Sequence, residues 1–273
     1  MSAYDLTTVA NVKAWLGLPS QPTPSDAIVA SLVTSASRTI YAIMSRTSLL
    51  PRSYTETIDI ESDRVYLSNW PVMQVNSVIL DGLLLPPATP ATVQSAIGYL
   101  LQPADSAPPG RQQALDLFGR RYCRLRQGLV VTYQAGYAIQ GETWTAPSAA
   151  PYQVTATAPF GAWASDLGVA YASSGTSLLP VKGSPAAGRY SVSNGVYHLS
   201  PADAGAAISI SYGFVPQDLV QAATELAAER FRASERIGLR SKSLGGQETI
   251  SYDVSGLSAS VLALLAPYRR MAL

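Results

Sequence analysis

The stretch Ile210-Ser211-Tyr212-Gly213-Phe214-Val215-Pro216-Gln217-Asp218-Leu219 marks the point where this chain changes from a β pattern to a helical one. Apolar residues alternate up to Tyr212, which predicts a strand because successive side chains of a strand face opposite sides. Pro216 suits the first position of a helix, and Asp218 favours the positive end of the helix dipole. The sequence therefore predicts a strand followed at once by a long helix, which extends to about Ile237.

The strand part of this pattern occurs twice in the chain. Residues 131–137, VTYQAGY, are echoed by ISYGF at residues 210–214, as expected if a domain were inserted between a strand and a helix. The segment between them is rich in Ala, Ser, Gly and Thr, and Asn194-Gly195 predicts a β-hairpin within it. We interpret residues 140–213 as an inserted β-sandwich-like domain, and residues 1–139 with 214–273 as a discontinuous core.

Helical periodicity also occurs near the start of the chain. One helix is predicted where Val9, Val12, Trp15 and Leu16 recur at helical spacing. A second is predicted to begin at Ser25, a good N-cap. Its apolar stripe consists of Ile28, Leu32, Ala36, Ile40, Ile43 and Met44.

The middle and the end of the chain predict further elements. Short apolar runs predict a small sheet with strands over residues 55–60, 75–80 and 129–133, whereas residues 85–110 carry many prolines and predict a long loop. Towards the end, residues 240–246 predict a polar loop, residues 248–254 a strand, and Ser258 caps a final helix. The predicted fold class is therefore α+β, with a helical core, a small antiparallel sheet and an inserted all-β module.

Composition argues against several function classes. The formal net charge of +1 predicts no overall attraction to nucleic acid or to an anionic membrane. With 14% charged residues, the surface suits either extensive protein contacts or β faces covered by hydroxyl groups. The start of the chain lacks a secretion signal, and no stretch approaches the roughly 18 apolar residues of a membrane span.

The usual residues of catalysis and metal binding are scarce. The single cysteine, Cys123, excludes an intrachain disulfide, and the single histidine, His198, argues against a histidine-based metal site or catalytic triad. Neither a P-loop nor a dinucleotide-binding pattern occurs. We therefore expect no catalytic residue, no metal and no cofactor, and we do not expect an enzyme.

The order of these segments resembles the head-to-tail connector (adaptor) proteins of tailed bacteriophages. Four features carry the resemblance: residues 6–16 followed by the 26–46 helix; residues 67–82 with Asn69-Trp70-Pro71-Val72; the strand over 130–137; and the helix from Val215-Pro216-Gln217-Asp218-Leu219 with a tail closing on Pro267-Tyr268-Arg269. The resemblance covers most of residues 1–139 and 214–273. The β segment over 185–212 departs from the shortest members of the family.

The resemblance implies a structural protein of the virion neck, between the capsid portal and the tail, assembled in the host cytoplasm. Such a protein forms a homo-oligomeric ring, expected to be a dodecamer, that docks on the portal protein and offers its other face to the tail or the next neck protein. DNA would pass through the ring without sequence-specific binding, and no membrane is involved.

Two groups of residues are candidates for contacts in such a ring. By the resemblance, the loop near residues 239–246 and the C-terminal segment are candidates for portal and subunit contacts, with the residues Leu239, Arg240, Lys242, Leu244, Tyr268, Arg269 and Arg270. The last helix would otherwise simply complete the core. The densest basic cluster is a candidate for contact with channel DNA or an acidic partner, and consists of Arg120, Arg121, Arg124 and Arg126. Alternatively, the alternating Arg124 and Arg126 could simply be the solvent-exposed face of a strand. A second basic group on the long helix, with Arg230 and Arg232, is expected to pair with glutamates of the same helix.

The alternative function is a carbohydrate- or surface-binding accessory protein of the virion. The inserted β module would then be the working part, and exposed aromatic side chains could stack on sugars, namely Tyr152, Trp163, Tyr171 and Tyr197. The helical ends argue against this alternative, because a simple binding module does not need them.

Overall fold

The computed structural model describes residues 4–89, 97–103, 107–119, 125–234, 241–244, 248–251 and 257–270. The elements, in chain order, are α1 (Val9–Leu16), α2 (Asp26–Met44), β1 (Arg52–Ile60), β2 (Arg64–Tyr66), β3 (Val72–Leu80), β4 (Leu83–Leu85), β5 (Gly98–Gln102), β6 (Ala114–Phe118), β7 (Leu125–Ala135), β8 (Ala138–Thr145), β9 (Gln153–Thr155), β10 (Gly161–Tyr171), β11 (Leu179–Pro180), β12 (Arg189–Ser193), β13 (Val196–Leu199), β14 (Ala207–Pro216), α3 (Gln217–Ser234), β15 (Ser241–Leu244), β16 (Glu248–Ser251) and α4 (Ala259–Leu265).

The predicted fold class is wrong, because the chain is mostly β. Strands account for 39% of it and helices for 25%, so it is not a helical core carrying a β module. The predicted long loop over residues 85–110 includes β5, which pairs with β6, and β6 pairs in turn with β2. Strands of three to five residues carry little alternation, and their pairing with distant partners, not their local pattern, makes them strands.

The chain divides into two compact units. The first, called here the helical unit, comprises residues 1–47 and 217–273, and the second, the β unit, comprises residues 48–216. The two ends of the chain therefore build one unit, and a continuous segment builds the other. The separate inserted domain expected over residues 140–213 stays a prediction.

The helical unit has its core between α1, α2, α3 and α4. In α1, the Thr8 hydroxyl caps the helix by accepting a hydrogen bond from the Asn11 backbone N–H at 3.0 Å. The predicted stripe of α3 is confirmed over its first turns, since four of its members are buried: Leu219, Ala223, Leu226 and Ala227.

The predicted stripe of α2 is confirmed only in its second half. Ala36, Ile40 and Met44 are fully buried, as expected, but near the start of the helix Val29 is buried and Ile28 is 54% exposed. The buried face is therefore shifted by one residue at this end.

The predicted cap of α2 is also wrong. Ser25 has a helical backbone and makes no capping hydrogen bond with its side chain. Instead, Asp26 accepts hydrogen bonds from the Thr23 hydroxyl at 2.6 Å and from Lys13 Nζ at 2.9 Å. These two bonds lower the pKa of Asp26. The buried ammonium group of Lys13 thereby obtains a charged partner.

By length and composition alone, α2 could cross a membrane. It has 19 residues and a mean hydropathy of 1.4, so the expectation that no segment comes near this limit was wrong. The core helix of a soluble protein passes the same test, and α2 contributes Val29, Val33, Ala36, Ile40 and Met44 to the core of the helical unit.

The first part of the β unit consists of two sheets around one hydrophobic cluster. Strands β1, β7, β3 and β4 form an antiparallel sheet in that order, and β2, β6 and β5 form the other. The strands predicted over residues 55–60, 75–80 and 129–133 are confirmed as parts of β1, β3 and β7. The long β7 lies between two partners and contributes the buried residues Leu129, Val131 and Tyr133.

The second part of the β unit has its own hydrophobic cluster between two further sheets. These are β10-β14-β8 and β11-β12-β13-β9. The predicted hairpin is confirmed, since Asn194 and Gly195 join β12 to β13 with φ angles of 50° and 81°. The last strand, β14, ends at Pro216 and α3 begins at the next residue, which confirms the predicted change from strand to helix.

Candidate interaction surfaces

The C-terminal segment is fastened to the rest of the helical unit. Ser258 caps α4 by accepting a hydrogen bond from the Val261 backbone N–H at 3.3 Å, as predicted. Tyr268 is fully buried, and its hydroxyl donates to an Asp218 carboxylate oxygen at 3.0 Å. The backbone N–H of Arg270 donates to the Met44 carbonyl at 3.0 Å. Tyr268 therefore anchors the segment in the isolated chain and holds the next two residues in place.

The exposed members of this candidate group are the two arginines after Tyr268. Arg269 and Arg270 both have exposed side chains. They follow the buried anchor directly, so their backbone position is fixed although their side chains face solvent. The tail of the helical unit thus presents a pair of adjacent positive charges.

The other members of the predicted interface group lie around a two-stranded hairpin. Lys242 and Leu244 belong to β15, which pairs with β16 in antiparallel register. The predicted polar loop over residues 240–246 is therefore partly a strand, because it has a pairing partner in residues 248–251. Leu239 and Arg240 lie outside the described residues, and the assignment of this group to an interface stays a prediction.

The predicted arginine cluster is described at one position only. Arg120, Arg121 and Arg124 lie outside the described residues, whereas Arg126 is an exposed residue of β7. Next to it, the backbone N–H of Gln127 donates to a carboxylate oxygen of Asp59 at 2.7 Å, where the register between β1 and β7 shifts. Arg126 therefore lies beside an irregularity of the sheet, and its contact with DNA stays a prediction.

Sequence reasoning missed an open cleft in the helical unit. The cleft has a volume of about 370 Å³ and is lined by Trp15, Glu225, Ala228, Glu229 and Arg232. Trp15 is 55% exposed, although its spacing in α1 had grouped it with the buried Val12. Two carboxylates against one guanidinium give the cleft a formal negative charge beside an exposed indole ring.

The two glutamates of this cleft differ in their surroundings. Glu225 is half-buried and accepts hydrogen bonds from Gln221 Nε2 at 2.8 Å and from the Ser260 hydroxyl at 3.1 Å. Glu229 is exposed, and its side chain has no hydrogen bond or ion pair with any residue that the structure describes. Glu229 is therefore the carboxylate of this cleft that is available to an incoming group.

Among the residues that the structure describes, Arg230 pairs with no glutamate of its own helix, in contrast to the pairing expected from the sequence. Its guanidinium donates to the Ser35 hydroxyl at 2.9 Å and to the Thr39 hydroxyl at 2.8 Å, both on α2. It ties α3 to α2 through neutral acceptors. Its charge is therefore not cancelled by a carboxylate at these contacts.

In the second part of the β unit, tyrosine hydroxyls donate to carboxylates. Asp166 accepts hydrogen bonds from Tyr190 at 2.5 Å and from Tyr197 at 3.1 Å. Burial, together with the charge of Asp166, raises the pKa of both tyrosines. Both hydroxyls therefore stay protonated as donors. Such bonds satisfy polar groups that would be costly to bury alone.

Glu142 is the centre of a similar network. It accepts hydrogen bonds from Tyr212, from Thr157 and, at 2.8 Å, from the indole N–H of Trp144. Partial burial alone would raise the pKa of Glu142, but these hydrogen bonds outweigh burial and lower it. Burial and the bond to Glu142 raise the pKa of Tyr212 to about 12. The carboxylate stays ionised and holds β8 against β14.

These networks include two of the four aromatic residues proposed for sugar stacking, Tyr171 and Trp163, and a third, Tyr197, is buried. Tyr197 is fully buried, Tyr171 donates to Asp203 at 2.6 Å, and the Trp163 indole N–H donates to Tyr197 at 3.2 Å. Tyr152 lines an open cleft of about 540 Å³, which it shares with His198. Expecting Tyr197 to be exposed was wrong, because its side chain faces the core between the two sheets.

Within the described ranges, no three His, Cys, Asp or Glu side chains are grouped so that they could hold a metal ion. Cys123 lies outside those ranges.

Comparisons with solved structures give similar chains, two of which come from gene transfer agent particles. No protein-family model and no curated protein matches this sequence. A chain from the neck of an empty gene transfer agent particle, computed with C6 symmetry, is 16% identical; the match covers 97% of this chain and 90% of that chain, with a TM-score of 0.40. A chain from the virion of a native gene transfer agent particle is 16% identical with the same coverage and a TM-score of 0.39. A TM-score below 0.5 does not establish a shared fold, so the function proposed below rests on the residues of this chain.

Proposed function

We propose that this chain is a structural connector of a phage-like virion neck. It forms a ring, a dodecamer by the resemblance, that docks on the portal protein and links it to the tail or to the next neck protein. DNA passes through the ring without sequence-specific contacts. The chain needs no catalytic centre or cofactor for this role, because the role consists of shape and contacts. The two compared chains come from a neck and a virion, and the proposal gives this chain the same place.

The observation that carries the proposal is the helical unit. It joins the two ends of the chain in the order that the connector resemblance implies, with two N-terminal helices, a long helix after a strand, and a tail that closes on Tyr268. Thr7 and Thr224 share a hydrogen bond at 2.7 Å inside this unit, and Tyr268 holds the tail to Asp218. A unit tied in this way keeps its surface groups in fixed positions, as a repeated contact between subunits requires.

The exposed groups of the helical unit suit contacts between copies. Trp15 and Ile28 are each more than half exposed, and the tail offers two exposed arginines. Aromatic residues and arginine are enriched where proteins meet, because they combine a large contact area with directed polar groups. These groups are far better suited to binding protein than to chemistry.

The test is the mass of the assembled protein. The purified full chain is measured alone and mixed with portal complexes, by light scattering and by negative-stain imaging, over a range of concentrations. We expect a species of discrete mass and ring shape in at least one sample. A chain that stays monomeric at every concentration and in the presence of the portal contradicts the proposal.

A further inference from the structure

Two surfaces of opposite charge lie at different places on the helical unit. One is the Trp15 cleft, lined by Trp15, Glu225, Ala228, Glu229 and Arg232, in which two carboxylates face one guanidinium. The other is the basic tail, Arg269 and Arg270, exposed directly after the buried Tyr268. An exposed indole ring beside a carboxylate is a favourable site for a guanidinium group, which can stack on the ring and donate hydrogen bonds to the carboxylate.

The basic tail is anchored away from Glu229 of its own chain. Tyr268 is held at Asp218, in the first turn of α3, whereas Glu229 lies eleven residues further along that helix, about 16 Å away at 1.5 Å rise per residue. The second anchor of the tail is Met44, at the end of α2. Met44 lies well past Ser35 and Thr39, the α2 residues that Arg230 contacts. Both anchors thus hold Arg269 and Arg270 at the end of α3 opposite the cleft.

We propose that the Trp15 cleft of one copy receives the basic tail of a neighbouring copy. The occupant is a second copy of this chain, and its Arg269 stacks on Trp15 and pairs with Glu229. A contact that joins two different surfaces of identical subunits is heterologous, and such contacts close into rings when the rotation between neighbours allows it. The inference rests on the proposed connector function, since it names the contact that would build the ring.

The charges and the packing of the Trp15 cleft both favour the basic tail of a second copy as its occupant. Glu229 is exposed and has no partner among the described residues, so it loses none when an arginine arrives. Trp15 would bury its exposed ring, and Ala228 leaves room in the floor of the cleft because its side chain is small. The tail brings its charges on a backbone that is already ordered, which lowers the entropic cost of binding.

The experiment is a charge swap in the full chain. Glu229→Arg and Arg269→Glu are prepared singly and together, and ring formation is followed by light scattering against protein concentration. We expect each single variant to raise the concentration needed for assembly by about tenfold or more, because like charges then face each other. The double variant should restore assembly towards the wild-type level. Asp63→Arg and Lys182→Glu, which reverse exposed charges of the β unit, are the matched controls and should assemble as wild type does.

A further variant distinguishes weaker assembly from a loss of folding. Trp15→Ala removes a mostly exposed side chain, so the chain should keep its circular dichroism spectrum and melting behaviour while its assembly weakens. Wild-type rings that persist unchanged in Glu229→Arg, Arg269→Glu and Trp15→Ala overturn this inference and leave the connector function intact. A wild-type chain that forms no ring even with the portal overturns both.

Discussion

The helical unit and the β unit use their charged residues in different ways. In the β unit, Asp166 and Glu142 accept hydrogen bonds from tyrosine hydroxyls that are buried or partly buried. In the helical unit, Glu229 and Arg269 have exposed side chains. Carboxylates that satisfy buried hydroxyls stabilise a single packing arrangement, whereas exposed charges remain available to a partner. This difference agrees with our proposal that the helical unit carries the contacts of assembly.

The largest expected effect concerns the rigidity of the β unit. Gly136, between β7 and β8, has a φ of 149°, and a Cβ atom there would lie 2.4 Å from the Pro51 nitrogen and 2.5 Å from the Leu50 carbonyl carbon. Gly136→Ala forces the backbone apart, so we expect a loss of about 3 kcal/mol or more in the free energy of unfolding. Urea unfolding, followed by the near-UV circular dichroism of the aromatic residues, measures it.

Gly82→Ala is the matched control for this substitution. Gly82 also has a positive φ, of 79°, but no atom lies within 4 Å of the position that a Cβ would take. The control contains the backbone strain without the collision, for which we expect about 1 kcal/mol. Equal losses in the two variants would show that the close approach to Pro51 is not what makes Gly136 necessary.

The next effect concerns the buried tyrosine network. Asp166→Ala leaves the hydroxyls of Tyr190 and Tyr197 without their carboxylate, and both side chains are almost fully buried. We expect a loss of about 2–4 kcal/mol in the free energy of unfolding, since buried donors without an acceptor keep their full desolvation penalty. Tyr190→Phe removes the hydroxyl itself, so no buried donor is left without an acceptor. It should therefore cost less, about 1 kcal/mol.

The control for the network is Asp63→Ala, which removes an exposed carboxylate from the same unit. Its effect should stay within about 0.5 kcal/mol. If Asp166→Ala lowered the free energy of unfolding as little as Asp63→Ala, the tyrosine hydroxyls would have found other acceptors. The carboxylate of Asp166 would then not be needed for the packing of the β unit.

The parts of the structure that could be predicted from the sequence are those that local patterns decide. The change from strand to helix at Pro216 and the hairpin at Asn194-Gly195 were predictable because local patterns decide them. The sheet of β2, β6 and β5 was not, because its strands are only three to five residues long with weak patterns, and β2 pairs with a strand far along the chain.

The candidate surfaces were harder to predict than the fold. The basic tail was found, since Arg269 and Arg270 are adjacent in the sequence. The Trp15 cleft was missed, because the spacing of apolar residues in α1 cannot show that Trp15 faces solvent while Lys13 is buried and paired with Asp26. Tyr197 was predicted to be exposed but is buried, because a tyrosine on a hairpin strand can face either side of the sheet.

The smallest expected effect concerns the hydrogen bonds that join α3 to α2 in the helical unit. Arg230→Ala removes the hydrogen bonds to Ser35 and Thr39 that tie α3 to α2. Both acceptors are hydroxyls at or near the surface that water can reach, so we expect a loss of only about 1 kcal/mol, measured by thermal unfolding followed in the far-UV. Arg38→Ala, an exposed arginine of α2, is the matched control and should change the stability by less than about 0.5 kcal/mol.

A double-mutant cycle sharpens this last prediction. Replacing Ser35 and Thr39 by alanine in the Arg230→Ala background should add little, because the bonds that they accept are already lost. An additive loss would mean that the hydroxyls stabilise α2 in another way. The measurement is made at low protein concentration, because assembly would raise the apparent stability by mass action and hide a difference of this size. If the helical unit carries the ring contacts, this concentration dependence should itself appear in the thermal unfolding of the wild-type chain and shift to about tenfold higher concentration or more in Glu229→Arg.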